Sequence, residues 1–71
     1  MYRFLVVIEK ANNNYSAYAP DLPGCVATGE TCEEVKQNMY EAIKMHLRGL
    51  REDHVSIPES HAVAEYMEVP T

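Results

Sequence analysis

Alternating apolar positions in residues 2–10 are typical of a β-strand, whose side chains point to opposite faces in turn. The predicted core face carries Phe4, Val6 and Ile8. Leu5 and Val7 make the opposite face apolar as well, although a two-layer domain would leave that face in water. Two interpretations stay open for this pair: an oligomer face, or ordinary exposed aliphatic side chains.

The run of residues 11–14, Ala-Asn-Asn-Asn, predicts a tight turn because Asn tolerates the left-handed backbone region. A second strand, about 14–19, should therefore return antiparallel to the first. Its small Ala17 and Ala19 suit a core face with a helix lying close, whereas Ser16 and Tyr18 face the other way. A third, short strand is predicted at 25–28.

Two prolines fix the connection between the second and third strands. Leu22-Pro23-Gly24-Cys25 is typical of a type II β-turn, which needs positive φ at its third residue. Pro20 and Pro23 each lack a backbone donor, so this segment cannot be part of a helix interior or a central strand. Asp21 lies between them and is expected to hydrogen-bond its own backbone.

A helix over about 32–51 is the strongest prediction. Apolar residues recur at spacings of three and four and fall on one stripe: Cys32, Val35, Met39, Ala42, Ile43, Leu47 and Leu50. Thr31 and Glu34 have the spacing of a capping box, in which each side chain accepts from the other residue's backbone amide. Acids in the first turn and bases in the last turn suit the helix dipole.

Residues 62–69 are interpreted as a fourth strand at the edge of the sheet, with a short helix as the alternative for residues 60–65. Ile57-Pro58 separates this segment from the helix, because a residue before proline disfavours the helical region. The element order is then βββαβ. We expect one α+β domain over residues 1–71, with one long helix packed on a mostly antiparallel sheet in two layers.

The chain of 71 residues has a net charge of −5 and no basic stripe, which argues against direct nucleic acid binding. No segment is long and apolar enough to suggest a signal peptide or a membrane span, so a cytoplasmic location is expected. In that compartment Cys25 and Cys32 should be reduced. Neither cysteine nor the three histidines show the spacing of a zinc site.

No set of side chains predicts catalysis. Hydrolytic metal sites need carboxylates that converge, and Glu9, Asp21, Glu34 and Glu41 show no such pair. We therefore expect no enzyme activity, no metal and no cofactor. The alternative is a residual metal-dependent nuclease that uses Glu9, Asp21 or Glu41.

Four segments of the chain, taken in order, together resemble a known family. They are Tyr18-x-Pro20-Asp21-Leu22-Pro23-Gly24-Cys25, Gly29-x-Thr31-x-Glu33-Glu34-Val35, Asn38-x-x-Glu41-Ala42-Ile43-x-x-His46-Leu47 and Ile57-Pro58. The pattern covers roughly residues 2–70 and resembles the HicB-like antitoxins (the HicB N-terminal-type domain, once an uncharacterised protein family). The resemblance implies a partially degraded ribonuclease H-like fold.

The resemblance also implies a function in a toxin–antitoxin system. Such antitoxins bind and neutralise a HicA-type ribonuclease toxin, and many carry a further DNA-binding module that is not expected in residues 1–71. The motif residues Pro20, Asp21, Leu22, Pro23 and Gly24 are candidates for contact with a partner. A homodimer or larger homo-oligomer through Leu5 and Val7 is expected, and a stand-alone regulatory or ligand-binding module without a toxin is the alternative.

Overall fold

A computed structural model describes residues 1–71, that is, the whole chain. Three strands precede one long helix: β1 (Val7–Lys10), β2 (Tyr15–Tyr18), β3 (Val26–Gly29) and α1 (Cys32–Glu52). The strands form one antiparallel sheet in the order β1-β2-β3, and α1 lies on one of its faces. The predicted α+β arrangement of a helix on an antiparallel sheet is confirmed.

β1 begins later than residue 2, where the sequence placed its start. The last cross-strand pair is Val7 with Tyr18, because the chain turns away from the sheet at Ala19. Residues 2–6 therefore do not pair with β2. Their side chains still alternate, since Phe4 and Val6 pack against the core together with Ile8.

The core lies between α1 and the facing side of the sheet. Its buried side chains are Ala17, Ala19, Leu22, Cys25, Val35 and Met39. The predicted helix stripe supplies Val35 and Met39, and Ala42, Ile43 and Leu47 pack around them. The helix contacts β3 most, β2 less and β1 hardly at all. An apolar cleft consequently remains between α1 and the start of the chain, lined by Val6, Ile8, Met39, Tyr40, Ile43 and Lys36.

The C-terminal end of α1 is closed by a left-handed residue. His54 has a φ of 56°, and its amide donates to Arg51 O at 3.1 Å. The amide of Val55 donates to Leu50 O at 2.8 Å, so the two bonds have the pattern of a Schellman motif. Ile57-Pro58 follows the end of the helix, as the sequence indicated.

The expected fourth strand is not formed. Residues 59–71 are neither strand nor helix. The segment runs beside residues 3–8, and shallow clefts lie between the two stretches. No backbone hydrogen bond joins them, which is why the open edge of β1 gains no strand. Separately, α1 lacks the apolar character of a bilayer-spanning helix.

Candidate protein-binding surfaces

Two consecutive turns build the proline-bounded corner between β2 and β3. Leu22 N donates to Ala19 O at 3.0 Å, and Cys25 N donates to Leu22 O at 3.0 Å. Gly24 has a φ of 82°, the value that the third residue of a type II turn requires. A further bond from Ala19 N to Cys25 O, 3.3 Å long, closes the corner at its base.

The five motif residues of this corner have different exposures. Leu22 is fully buried and fills the core, whereas Pro20, Pro23 and Gly24 are exposed. The motif thus combines one anchoring side chain with a rigid outer surface. Only the exposed three are placed to touch another molecule.

Asp21 holds the C-terminal segment. Its Oδ2 accepts from the backbone amides of His61 and Ala62, both at 3.0 Å. The expectation that this carboxylate would bond its own turn is wrong, since its partners lie about forty residues further along the chain. Asp21 is the polar side chain that fixes the position of the segment beside β1.

The start of α1 is capped by Thr31 and Glu34. Thr31 Oγ1 accepts from Glu34 N at 3.0 Å. The Glu34 carboxylate accepts from Glu30 N at 3.1 Å, one residue before the cap, rather than from Thr31 N as a capping box requires. The Thr31 backbone is extended, as is usual for an N-cap, and the carboxylate bonds the amide one residue before it.

Two further motif residues fasten α1 to β3. A Cβ added at Gly29 would lie 2.6 Å from Val35 N, so only glycine allows the helix to approach this closely. Asn38 Nδ2 donates to Thr28 O at 2.8 Å across the same junction. The role of Asn38 is not apparent from the sequence, since its hydrogen-bond partner lies ten residues away on another element.

The face of the sheet that α1 leaves bare carries an apolar row. Val7 lies opposite Tyr18 on β2, and Tyr18 lies opposite Val26 on β3. Tyr18 is 41% and Val26 64% exposed. Leu5, which precedes β1, and Val7 are half-buried and line a cleft with Ala64, Glu65 and Tyr66 of the C-terminal segment. We call Leu5, Val7, Tyr18 and Val26 the outer row. The sequence indicated Leu5 and Val7, but Val26 joins them only through the strand register.

The carboxylates considered for a metal site stay apart. No group of three or more His, Cys, Asp or Glu side chains converges anywhere in the chain. Asp21 bonds the C-terminal segment, Glu34 bonds the helix entrance, and Glu41 lies near Lys44 Nζ at 3.8 Å. Glu9 is exposed at the end of β1.

Both thiols are free. Cys25 is buried in the core, and Cys32 is half-buried in the first turn of α1. Burial raises the pKa of the Cys25 thiol, because desolvation disfavours the thiolate. His46 lies near Cys25 at a shallow cleft and is half-buried, as is common for histidine.

Comparison with known proteins identifies relatives along most of the chain. A protein of Haemophilus phage HP1, described as an uncharacterised 14.9 kDa protein in the rep-hol intergenic region, is 38% identical over 65 residues. The match covers 92% of this chain and 49% of the phage protein, so the chain spans about half the length of that relative.

Two further relatives carry the family name UPF0150. One, from Synechocystis, is 31% identical over 97% of this chain and 89% of its own length. The other, from Helicobacter pylori, is 44% identical over 70% of this chain and 69% of its own length. No solved structure matches the chain, so the ribonuclease H-like relationship stays a prediction.

A family model described as the HicB-like antitoxin of bacterial toxin–antitoxin systems matches residues 4–71. The match includes the proline-bounded corner, the capped helix start and the C-terminal segment that Asp21 holds. The chain belongs to the HicB-like antitoxin family.

Proposed function

We propose that this domain is a non-catalytic antitoxin that binds and neutralises a HicA-type ribonuclease toxin in the cytoplasm. The family match over residues 4–71 is the observation that carries the proposal. The net charge of −5 supports it, because a ribonuclease that grips RNA presents cations, and opposite charges speed and steer association.

The proposed toxin contact is the exposed part of the proline-bounded corner, formed by Pro20, Pro23 and Gly24. Two turns and a closing bond fix its backbone, so little conformational entropy is lost when a partner binds. Leu22 anchors the corner from inside. The corner is therefore a preorganised surface of the kind that favours protein recognition.

Coexpression with a HicA-type toxin, sought first in the reading frames that adjoin the gene, tests the proposal. We expect this chain to restore growth and to copurify with the toxin. Failure of both, with both proteins present and folded, would contradict a toxin-neutralising function.

A variant pair tests the contact surface. Pro20→Lys adds a cation to the corner and should weaken toxin binding about tenfold, or about 1.4 kcal/mol. Asn13→Lys adds the same charge to the exposed β1–β2 turn at the other end of the sheet and should leave binding unchanged. Equal affinities for the two variants would place the toxin elsewhere.

The absence of catalysis is tested separately. Purified protein with Mg²⁺ is expected to cleave no RNA even at high concentration. Cleavage that is lost with Glu9→Gln, Asp21→Asn or Glu41→Gln would instead support the nuclease alternative.

A further inference from the structure

The apolar cleft between α1 and the start of the chain is a gap in the helical layer of the domain. α1 lies mainly over β3 and less over β2, so Val6 and Ile8 are flanked by the helix but not covered by it. A helix with its side chains is about 10 Å across, and neighbouring strands are about 4.8 Å apart, so one helix covers about two strands. The sheet therefore leaves room for a second helix beside α1.

The walls of this cleft are almost wholly apolar. Val6 and Ile8 form one wall, Met39, Tyr40 and Ile43 of α1 form the other, and Lys36 is the one charged residue among them. Tyr40 is 59% exposed, so the cleft opens to the surface. Such walls suit apolar side chains, whereas a nucleic acid base would lose the hydrogen bonds of its polar edge there.

A row of cations follows the edge of α1 that borders the cleft. It contains four of the six Lys and Arg residues of the chain: Lys36, Lys44, Arg48 and Arg51. With 3.6 residues per turn, these four positions and Tyr40 fall within about 120° of the helix circumference, and the row is about 22 Å long. Other residues separate the cations in the sequence, so the row forms only when the chain is helical.

The charges of this row are available to a ligand. Arg48 and Arg51 have no ion-pair partner within the chain. Lys36 and Lys44 each lie 3.8 Å from a carboxylate, but both pairs are more than half exposed, and exposed pairs contribute little to stability. Lys44 Nζ also lies 5.4 Å from the centre of the Tyr40 ring, which places the row directly beside the cleft.

We propose that the cleft binds an amphipathic helix of another protein, with its apolar stripe in the cleft and its carboxylates facing the cations of α1. The bound helix would lie beside α1 on the same face of the sheet and complete the helical layer. This is the helix-in-groove mode of recognition, in which apolar residues at spacings of three and four serve as anchors.

The cations distinguish this partner from two others. A toxin that grips RNA presents cations of its own, so the row would repel it, and the inference does not rest on the proposed function. The single helix of a second copy would also bring like charges together, because its exposed edge carries the same cations. An acidic amphipathic helix is the ligand whose charge and shape both fit.

Two synthetic peptides of about 15 residues, the length of the cation row, test the proposal. Both carry Leu at helical spacings of three and four. One has Glu along both edges of the Leu stripe, and the other has Lys at the same positions. Fluorescence anisotropy should show about tenfold tighter binding of the Glu peptide, or about 1.4 kcal/mol, and the difference should shrink as salt is added.

The net charge of the chain makes this comparison decisive. At −5, non-specific attraction favours the Lys peptide, so a preference for the Glu peptide reports the local cations. Equal affinities, or tighter binding of the Lys peptide, would overturn the proposal. Tighter binding of a single-stranded RNA oligonucleotide than of the Glu peptide would also overturn it.

Matched variants locate the binding site. Tyr40→Asp puts a carboxylate in the cleft and should weaken binding of the Glu peptide about tenfold. Met45→Asp makes a similar change at a 68% exposed position on the side of α1 that faces Gly24, and it should have no effect. Equal losses for the two variants would overturn the assignment of the cleft.

A charge variant tests the row independently of the cleft walls. Arg48→Glu should weaken binding of the Glu peptide about tenfold, whereas Arg3→Glu makes the same charge change outside the cleft and should have a much smaller effect. Equal effects would mean that only net charge matters and would contradict the proposal. Sedimentation of the wild-type and Tyr40→Asp chains should give the same oligomeric state; a difference would mean that a second copy fills the cleft.

Discussion

The two faces of the sheet are both apolar, but only one of them holds the domain together. The inner face contributes Ala17 and Ala19, which lie under α1 and are buried with Leu22 and Met39. The outer face carries Tyr18 and Val26, which remain exposed. Strand alternation predicts where side chains point, whereas the placement of the single helix decides which face becomes the core.

The largest expected effect concerns Leu22, which fills the core from the corner between β2 and β3. Leu22→Ala removes a side chain with 0% exposure and should cost about 2–5 kcal/mol, which is most of the stability of so small a domain. Val26→Ala on the outer face should change the stability of the monomer by about 0.5 kcal/mol or less. Urea unfolding at low protein concentration measures both. Similar losses would contradict the division between the faces.

A pair of glycines tests how closely the helix approaches the sheet. Gly29→Ala should destabilise by about 1–3 kcal/mol, because the new Cβ would meet the Val35 backbone. Gly49→Ala, inside α1, is the control. Its Cβ would meet nothing within 4 Å, so the change should stabilise by about 0.5–1 kcal/mol. Thermal unfolding measures the sign of the stability change in each variant. A Gly29→Ala variant as stable as the wild type would mean that α1 lies further from β3 than this structure shows.

The position of the C-terminal segment should depend on the carboxylate of Asp21. Asp21→Ala removes the acceptor for two amides and should cost about 1 kcal/mol, mainly by releasing the segment. Amide hydrogen exchange should then speed up at His61 and Ala62 while the core stays protected. Glu65→Ala, which changes an exposed carboxylate of the same segment, is the control. Unchanged exchange at the two amides would show that other contacts hold the segment.

The smallest effect concerns the two thiols and depends on pH. The pKa of Cys25 is raised in the folded state, so the stability it contributes is present below the ordinary thiol pKa and is lost as the pH rises through the raised value. The Cys32→Ser variant retains only Cys25, and the Cys25→Ser variant retains only Cys32. A thiol reagent should label the first variant more slowly than the second. Faster labelling of Cys25 would mean that the inner face opens readily.

Local patterns in the sequence predict most of this fold. The β-turn at Leu22–Cys25 and the helix follow from proline, glycine and apolar spacing, which act within a few residues. What the sequence does not predict depends on distant contacts. Asp21 bonds amides of the C-terminal segment, and Val26 joins the outer row through strand register.

The fourth strand shows the same limit. Residues 62–69 have a suitable composition, but a strand exists only when its backbone bonds to a neighbour, and no such bonds join this segment to β1. The exposed side chains of Val63, Tyr66 and Met67 fit a segment that is held at one end. Strand propensity therefore indicated that residues 62–69 are extended, but it did not show whether they pair with β1.

Val6, which precedes β1, and Val7, its first residue, test the central claim most directly. Val6→Asp and Val7→Asp make the same change on opposite faces, and each is followed by unfolding at low concentration and by sedimentation at high concentration. Val6→Asp should abolish cooperative unfolding, whereas Val7→Asp should unfold like the wild-type monomer and lose only self-association. Equal damage to folding at both positions would contradict the account.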